Sequence, residues 1–159
     1  MAFDSATNTL WVGSGTDGTL THIDAGSGRV LDTFIVDGLS GGGSMVATGN
    51  EVLWVATFSG EIVQVNLAQR RVVTRLKPFG EAEITIASAG GYIWATSIEQ
   101  PSLLRIEPRT EEIDRRREID AVGADFPSLS AATDGTLWVA AAPNRIEEAN
   151  PETGDTLKS

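Results

Sequence analysis

This chain reads as an all-β protein, a β-propeller of four-stranded antiparallel blades, and three observations predict it. Tryptophan occurs only at Trp11, Trp54, Trp94 and Trp138, in steps of 43, 40 and 44 residues. Each lies in a short apolar run: Thr9-Leu10-Trp11-Val12, Val52-Leu53-Trp54-Val55, Tyr92-Ile93-Trp94-Ala95 and Thr136-Leu137-Trp138-Val139. About a dozen residues after each tryptophan comes an Asp, Asn or Glu that opens a polar turn: Asp24, Asn66, Glu107 and Asn150. A period near forty residues, built of strand-like pieces joined by turn signals, is the mark of blade-by-blade construction. Helical periodicity is absent.

The elements of one unit follow in order. Upstream of each tryptophan is a small, weakly apolar strand: Ala2-Phe3-Asp4, Met45-Val46-Ala47, Ile84-Thr85-Ile86-Ala87 and Leu129-Ser130-Ala131. Small residues suit the crowded inner end of a blade. Turns at Ser5 to Asn8, Gly49-Asn50, Gly90-Gly91 and Asp134-Gly135 lead into the tryptophan strand. A third strand ends at the Asx or Glu position, and a tight turn such as Asp24-Ala25-Gly26-Ser27-Gly28 or Asn150-Pro151-Glu152-Thr153-Gly154 reverses the chain. Asx side chains cap such turns locally, and glycine supplies the positive φ at their end. The fourth strand spans Arg29 to Val36, Arg71 to Leu76, Glu112 to Ile119 and Asp155 to Leu157. The chain is thus one propeller domain, or part of one, with blades near 1–38, 39–80, 81–120 and 121–159. The tryptophans read as packing residues that fill one inter-blade slot four times, each removing about 150–250 Å² from water.

Composition limits the partners. With 12 basic and 22 acidic residues the net charge is -10, which repels nucleic acid and anionic membranes. A basic partner, a cationic ligand or a metal ion is easier to accommodate. There is no cysteine, hence no disulfide and no thiolate chemistry. No apolar run approaches the roughly 20 residues of a membrane span, and Met1-Ala2-Phe3-Asp4 lacks the pattern of a signal peptide.

The stretch Leu10-Trp11-Val12-Gly13-Ser14-Gly15, then Gly18-Thr19-Leu20-Thr21-His22-Ile23-Asp24 and Ser27-Gly28-Arg29-Val30, resembles the YVTN, NHL and streptogramin-lyase-like propeller repeats. Those carry an LWV…G.I.RID..TGKV pattern, of which all four units show a version. The resemblance implies the fold across the whole chain and leaves function open, because these families include enzymes, sensors and scaffolds. It favours an extracytoplasmic compartment. Streptogramin-type lyases rely on histidine and a divalent metal, and that set transfers to no residue here. Rings in these families have about six to eight blades against four here, and no spare strand pairs one terminus with the other. The expectation is an incomplete ring: either a homodimer completes it, or the remaining blades belong to a longer parent chain.

Several short motifs fall within these repeats. Gly13-x-Gly15-x-x-Gly18 matches a dinucleotide fingerprint by letters, but Thr19-Leu20-Thr21-His22-Ile23 is a strand where the fingerprint needs a helix. Gly38-x-Ser40-x-Gly42 matches a nucleophile elbow, yet it falls between two strands. His22, the sole histidine, aligns with Gln64, Arg105 and Glu148 of the other units, a polar-tolerant position that reads as solvated or edge-facing. Arg115-Arg116-Arg117 falls on an outermost strand, where charge blocks edge-to-edge pairing.

One constellation is suggestive. The loops entering the inner strands carry Asp37, Glu81, Glu83, Asp120 and Asp125, and those leaving the tryptophan strands add Asp17 and Glu99. In a propeller these loops share a face. Such oxygen clusters suit Ca²⁺ or Mg²⁺, a small ligand or a basic protein, with solvated loop charge as the plainer reading. The leading expectation is a non-catalytic module for ligand sensing or protein interaction through this loop face. The alternatives are part of a lyase-like or metal-dependent hydrolytic propeller enzyme whose catalytic residues lie outside the chain, and a structural scaffold.

Overall fold

The computed structural model describes residues 1–14, 16–48, 51–97, 99–100, 102–119, 128–132, 134–142 and 145–159. All regular structure among them is strand. The first blade comprises β1 (Ala2–Asp4), β2 (Thr9–Gly13), β3 (Thr19–Asp24) and β4 (Val30–Ile35). The second comprises β5 (Met45–Ala47), β6 (Val52–Ala56), β7 (Ile62–Asn66) and β8 (Arg71–Leu76). The third holds β9 (Ile84–Ala89), β10 (Tyr92–Ser97), β11 (Ser102–Ile106) and β12 (Ile113–Glu118). The fourth holds β13 (Ser128–Ala131), β14 (Leu137–Ala142), β15 (Arg145–Ala149) and β16 (Thr156–Lys158). Each blade is a four-stranded antiparallel meander in chain order. The chain forms two compact units of two blades, Met1–Glu81 and Ala82–Ser159.

The turn chemistry explains the hairpins. The Asp24 carboxylate accepts from the Ser27 amide at 2.7 Å and its hydroxyl at 2.6 Å. Those two donors hold the Asp24 carboxyl below its ordinary range. Asn66 accepts from the Gln69 amide, and Asn150 from the amides of Glu152 and Thr153. The turn ends in the left-handed region in every blade. Gly28 and Gly154 supply it as the sequence predicts, but Arg70 (φ 54°) and Glu111 (φ 62°) do so in the middle blades, at a cost of about 1–2 kcal/mol each.

The register confirms the repeat at residue level. Trp11 pairs with His22, Trp54 with Gln64, Trp94 with Arg105 and Trp138 with Glu148. The ladder between third and fourth strands then slips at that residue in all four blades: His22/Ile23, Gln64/Val65, Arg105/Ile106 and Glu148/Ala149. Such bulges bend a strand and raise its twist. β3 follows the Gly13–Gly18 segment and β5 follows the Gly38–Gly42 segment, so neither glycine motif opens a helix.

Within each unit the tryptophan face of one blade packs on the opposite face of the next. In the first unit Ala2, Trp11 and Leu20 of blade one meet Leu53, Val55, Val63 and Val65 of blade two. In the second, Ala87, Trp94 and Leu103 of blade three meet Leu129, Leu137, Val139 and Ala149 of blade four. Trp54 and Trp94 are fully buried and Trp11 nearly so. Trp138 departs from the expectation of four equal slots: it stays 39% exposed.

Polar locks reinforce both packings. Arg70, on the β7–β8 turn, pairs with Asp32 of blade one at 2.9 Å and lies 4.4 Å over the Phe34 ring. In the second unit Glu147 is 1% exposed and accepts from Arg117 of blade three at 3.2 Å, Arg145 at 2.6 Å and Thr156 at 2.8 Å. The basic run is therefore divided. Arg115 and Arg116 are exposed on the outermost strand β12 as expected, whereas Arg117 turns into the blade interface.

Candidate functional site

The expected acidic loops fall into local pairs. Asp17 lies exposed in the β2–β3 loop, where its carboxylate accepts from the Ser14 hydroxyl at 2.5 Å and the Thr19 amide at 3.0 Å. These donors, Ser14 first, lower its pKa. Asp37 lies in the connection from β4 to β5, with its backbone bonded to Arg70 and Val72 next to strand β8. The Val36 amide donates to the Gly18 carbonyl at 3.0 Å, so the loops carrying Asp17 and Asp37 lie side by side. Glu81 closes the first unit and pairs with Lys77. In the second unit Glu83 and Glu99 both lie just beyond the Ile84–Ser97 rung of β9 and β10. All five are exposed; Asp120 and Asp125 lie outside the described residues. Among the described residues no three His, Cys, Asp or Glu side chains are grouped to hold a metal ion.

A second feature was not apparent from the sequence. Asp4, Ala6, Thr7, Trp11, His22, Glu51, Leu67 and Ala68 line a cavity of about 440 Å³ between the turns of the first two blades. His22 stacks face to face on Trp11, with ring centroids 4.0 Å apart and planes 2° from parallel. The position expected to be solvated or edge-facing is therefore a half-buried packing position. A strand pair that places Trp11 opposite His22 puts both on one face, and that was the available signal.

The second unit shows what fills the equivalent slot. Trp94 donates through Nε1 to the Pro151 carbonyl at 3.2 Å. Arg105, in the His22 position, lies 4.1 Å over the Tyr92 ring, bonds both Asp114 oxygens and reaches the Glu152 carbonyl. Its guanidinium lowers the Asp114 pKa from its ordinary value, the hydrogen bonds being the largest cause. In the first unit the smaller His22 and Thr9 replace Arg105 and Tyr92, and Leu67 and Ala68 replace Pro151 and Glu152. The shortfall in side-chain volume leaves space beside a flat aromatic pair, rimmed by two carboxylate residues, Asp4 and Glu51.

Meander blades stacked tryptophan face against opposite face define the class of fold as a β-propeller, a fold that serves widely for interaction and scaffolding. Neither a protein-family model nor a curated protein matches the sequence. Solved structures do match. Hydrazine synthase of Kuenenia stuttgartiensis is similar over 99% of this chain and 47% of its own, at 15% identity and a TM-score of 0.71. The WD40 β-propeller domain of Doa1 is similar over 90% of this chain and 47% of its own, at 13% identity and a TM-score of 0.68. Such identities show the fold alone, and the chain spans about half the length of these solved chains.

Proposed function

We propose that this chain is a non-catalytic propeller module that binds a basic protein segment through its acidic loops, with repeats of the YVTN, NHL and streptogramin-lyase-like kind. The observation that carries this reading is the contrast between two classes of carboxylate. Glu147 is buried in a lock within the second unit and Asp114 pairs with Arg105 there, whereas Asp17, Asp37, Glu81, Glu83 and Glu99 stand exposed on loops, with Asp17 bonded to Ser14 and Thr19 and Glu81 to Lys77 close by in sequence. With a net charge of -10, such loops steer a cationic partner and speed its encounter. The same oxygens would take Ca²⁺ weakly, as a hard cation of flexible coordination, and Mg²⁺ chiefly through the waters it retains. Asp120 and Asp125 complete the proposed set.

The test is calorimetric titration with a lysine-rich decapeptide at low and moderate salt. Binding that weakens with salt and is lost in the Asp17→Asn, Asp37→Asn double variant supports the reading. Binding indifferent to both refutes it. Parallel melting curves with millimolar Ca²⁺ or Mg²⁺ separate a metal requirement from protein recognition.

A second reading rests on the cavity. Its flat Trp11–His22 pair, with Asp4 and Glu51 at the rim, suits a small ring-bearing cation. Tryptophan fluorescence quenched by such a ligand in the native chain, and not in His22→Ala, would favour it.

A further inference from the structure

Two exposed sheet faces match the two halves of a contact that each unit of this chain makes internally. Within each unit a tryptophan face meets an opposite face, and the residues at that contact are buried: Leu20, Leu53, Val55 and Val65 in the first unit, and Leu103, Leu137, Val139 and Ala149 in the second. On blade four the tryptophan face has no such cover. Trp138 is 39% exposed, and Ile146, in the register position of the fully buried Leu20 and Leu103, is 62% exposed. On blade one the opposite face is the uncovered one. Leu10, Val12 and Ile23 match Leu53, Val55 and Val65 but are only half-buried. Phe3, Val30 and Ile35 extend that face and are 51%, 56% and 68% exposed.

We infer that two copies of this chain associate head to tail, the Trp138–Ile146 face of each seating on the Phe3–Leu10–Ile23 face of the other. Large apolar faces left in water mark association sites, and these two are complementary by the chain's own repeat. A second copy is the occupant that carries both matching faces. A head-to-tail contact is heterologous and stays finite only when the copies close. The smallest closed assembly of this kind is a dimer. The acidic loops take no part, so the association stands or falls separately from the peptide binding proposed above.

The experiment is light scattering with sedimentation across about 1–100 μM protein, a span of two decades in concentration. The expected mass is twice 16.8 kDa. Ile146→Glu and Phe3→Glu each place a charge where the contact excludes water, and each should weaken dimerisation about 100-fold. Both side chains are exposed in the single chain, so an unchanged far-UV spectrum and urea midpoint of the monomer show that folding is intact. Mixing the two variants restores one good contact, so a mixed dimer should form where neither variant dimerises alone. A wild-type mass that stays at 16.8 kDa, or a dimer that survives either substitution, overturns the inference. The first of those results would mean that these faces meet blades other than a second copy's.

Discussion

Glu147 is the buried charge on which the second unit depends, and Glu147→Ala should measure how far. Its carboxylate is 1% exposed and holds Arg117, Arg145 and the Thr156 hydroxyl. Removing one partner of a buried ion pair costs about 3–5 kcal/mol, mostly through the charge left behind. Here the abandoned side chains are 24% (Arg117) and 40% (Arg145) exposed, so water partly repairs the loss. The expected cost is therefore about 2–3 kcal/mol, which lowers the melting temperature by roughly 4–12 °C in a chain of this size. Burial alone would raise the carboxyl's pKa. The hydrogen bonds from Thr156 and Arg117, with the charges of both arginines, outweigh that and bring it below its ordinary 4.5. Above that pH the unfolded carboxyl is ionised too, and the native advantage is complete. As pH falls, the unfolded chain takes up the proton first, and the advantage is lost as pH passes down through the folded pKa. Urea unfolding of wild type and variant at pH 7, 5, 4 and 3 should show a gap that is constant down to about pH 4.5 and then closes. A gap below about 1 kcal/mol, or one unchanged at pH 3, would refute the assignment of this carboxylate as a charged lock.

Two further predictions follow from the packing. Trp94→Ala should cost about 3–5 kcal/mol, as for a buried aromatic, and Trp138→Ala well under half of that in the single chain. Equal losses in chemical unfolding would contradict the difference in burial. Gly90 and Gly91 both have positive φ, but a Cβ at Gly90 would strike the Pro151 carbonyl while one at Gly91 meets nothing within 4 Å. Gly91→Ala should therefore cost only the backbone term of about 1 kcal/mol, with Gly90→Ala clearly worse by thermal melting.

The strand order was legible because it rests on local chemistry that recurs. A polar turn residue about a dozen positions after each tryptophan leaves few other ways to pair the strands. Strand limits shifted by a residue or two, as at β4 and β12, where Arg29 and Glu112 belong to the turns. What stayed hidden depends on the neighbouring blade. Glu147 stands in an ordinary Arg-Ile-Glu-Glu-Ala strand, and nothing in its spacing tells that Arg117, 30 residues earlier, will reach it. The cavity was invisible for the same reason, since it arises from side-chain volumes on two blades compared across the repeat. Trp138 shows the opposite case: identical local sequence, different environment. Loop carboxylates were easy to find, but their chemistry is set by placement, which spacing along the chain does not encode.

The slip at the tryptophan-paired residue, present in every blade, bears on how such a chain avoids polymerising along its strands. An outermost strand offers open amides and carbonyls to any extended segment that lies flat against it. A kink placed beside each of β4, β8, β12 and β16 spoils the straight template that fibril growth requires. Because the defect travels inside the forty-residue unit, every copied unit inherits its own safeguard. An array of this kind could therefore gain or lose members over time without exposing a sticky border, leaving growth to the broad flat sides instead of the thin rims.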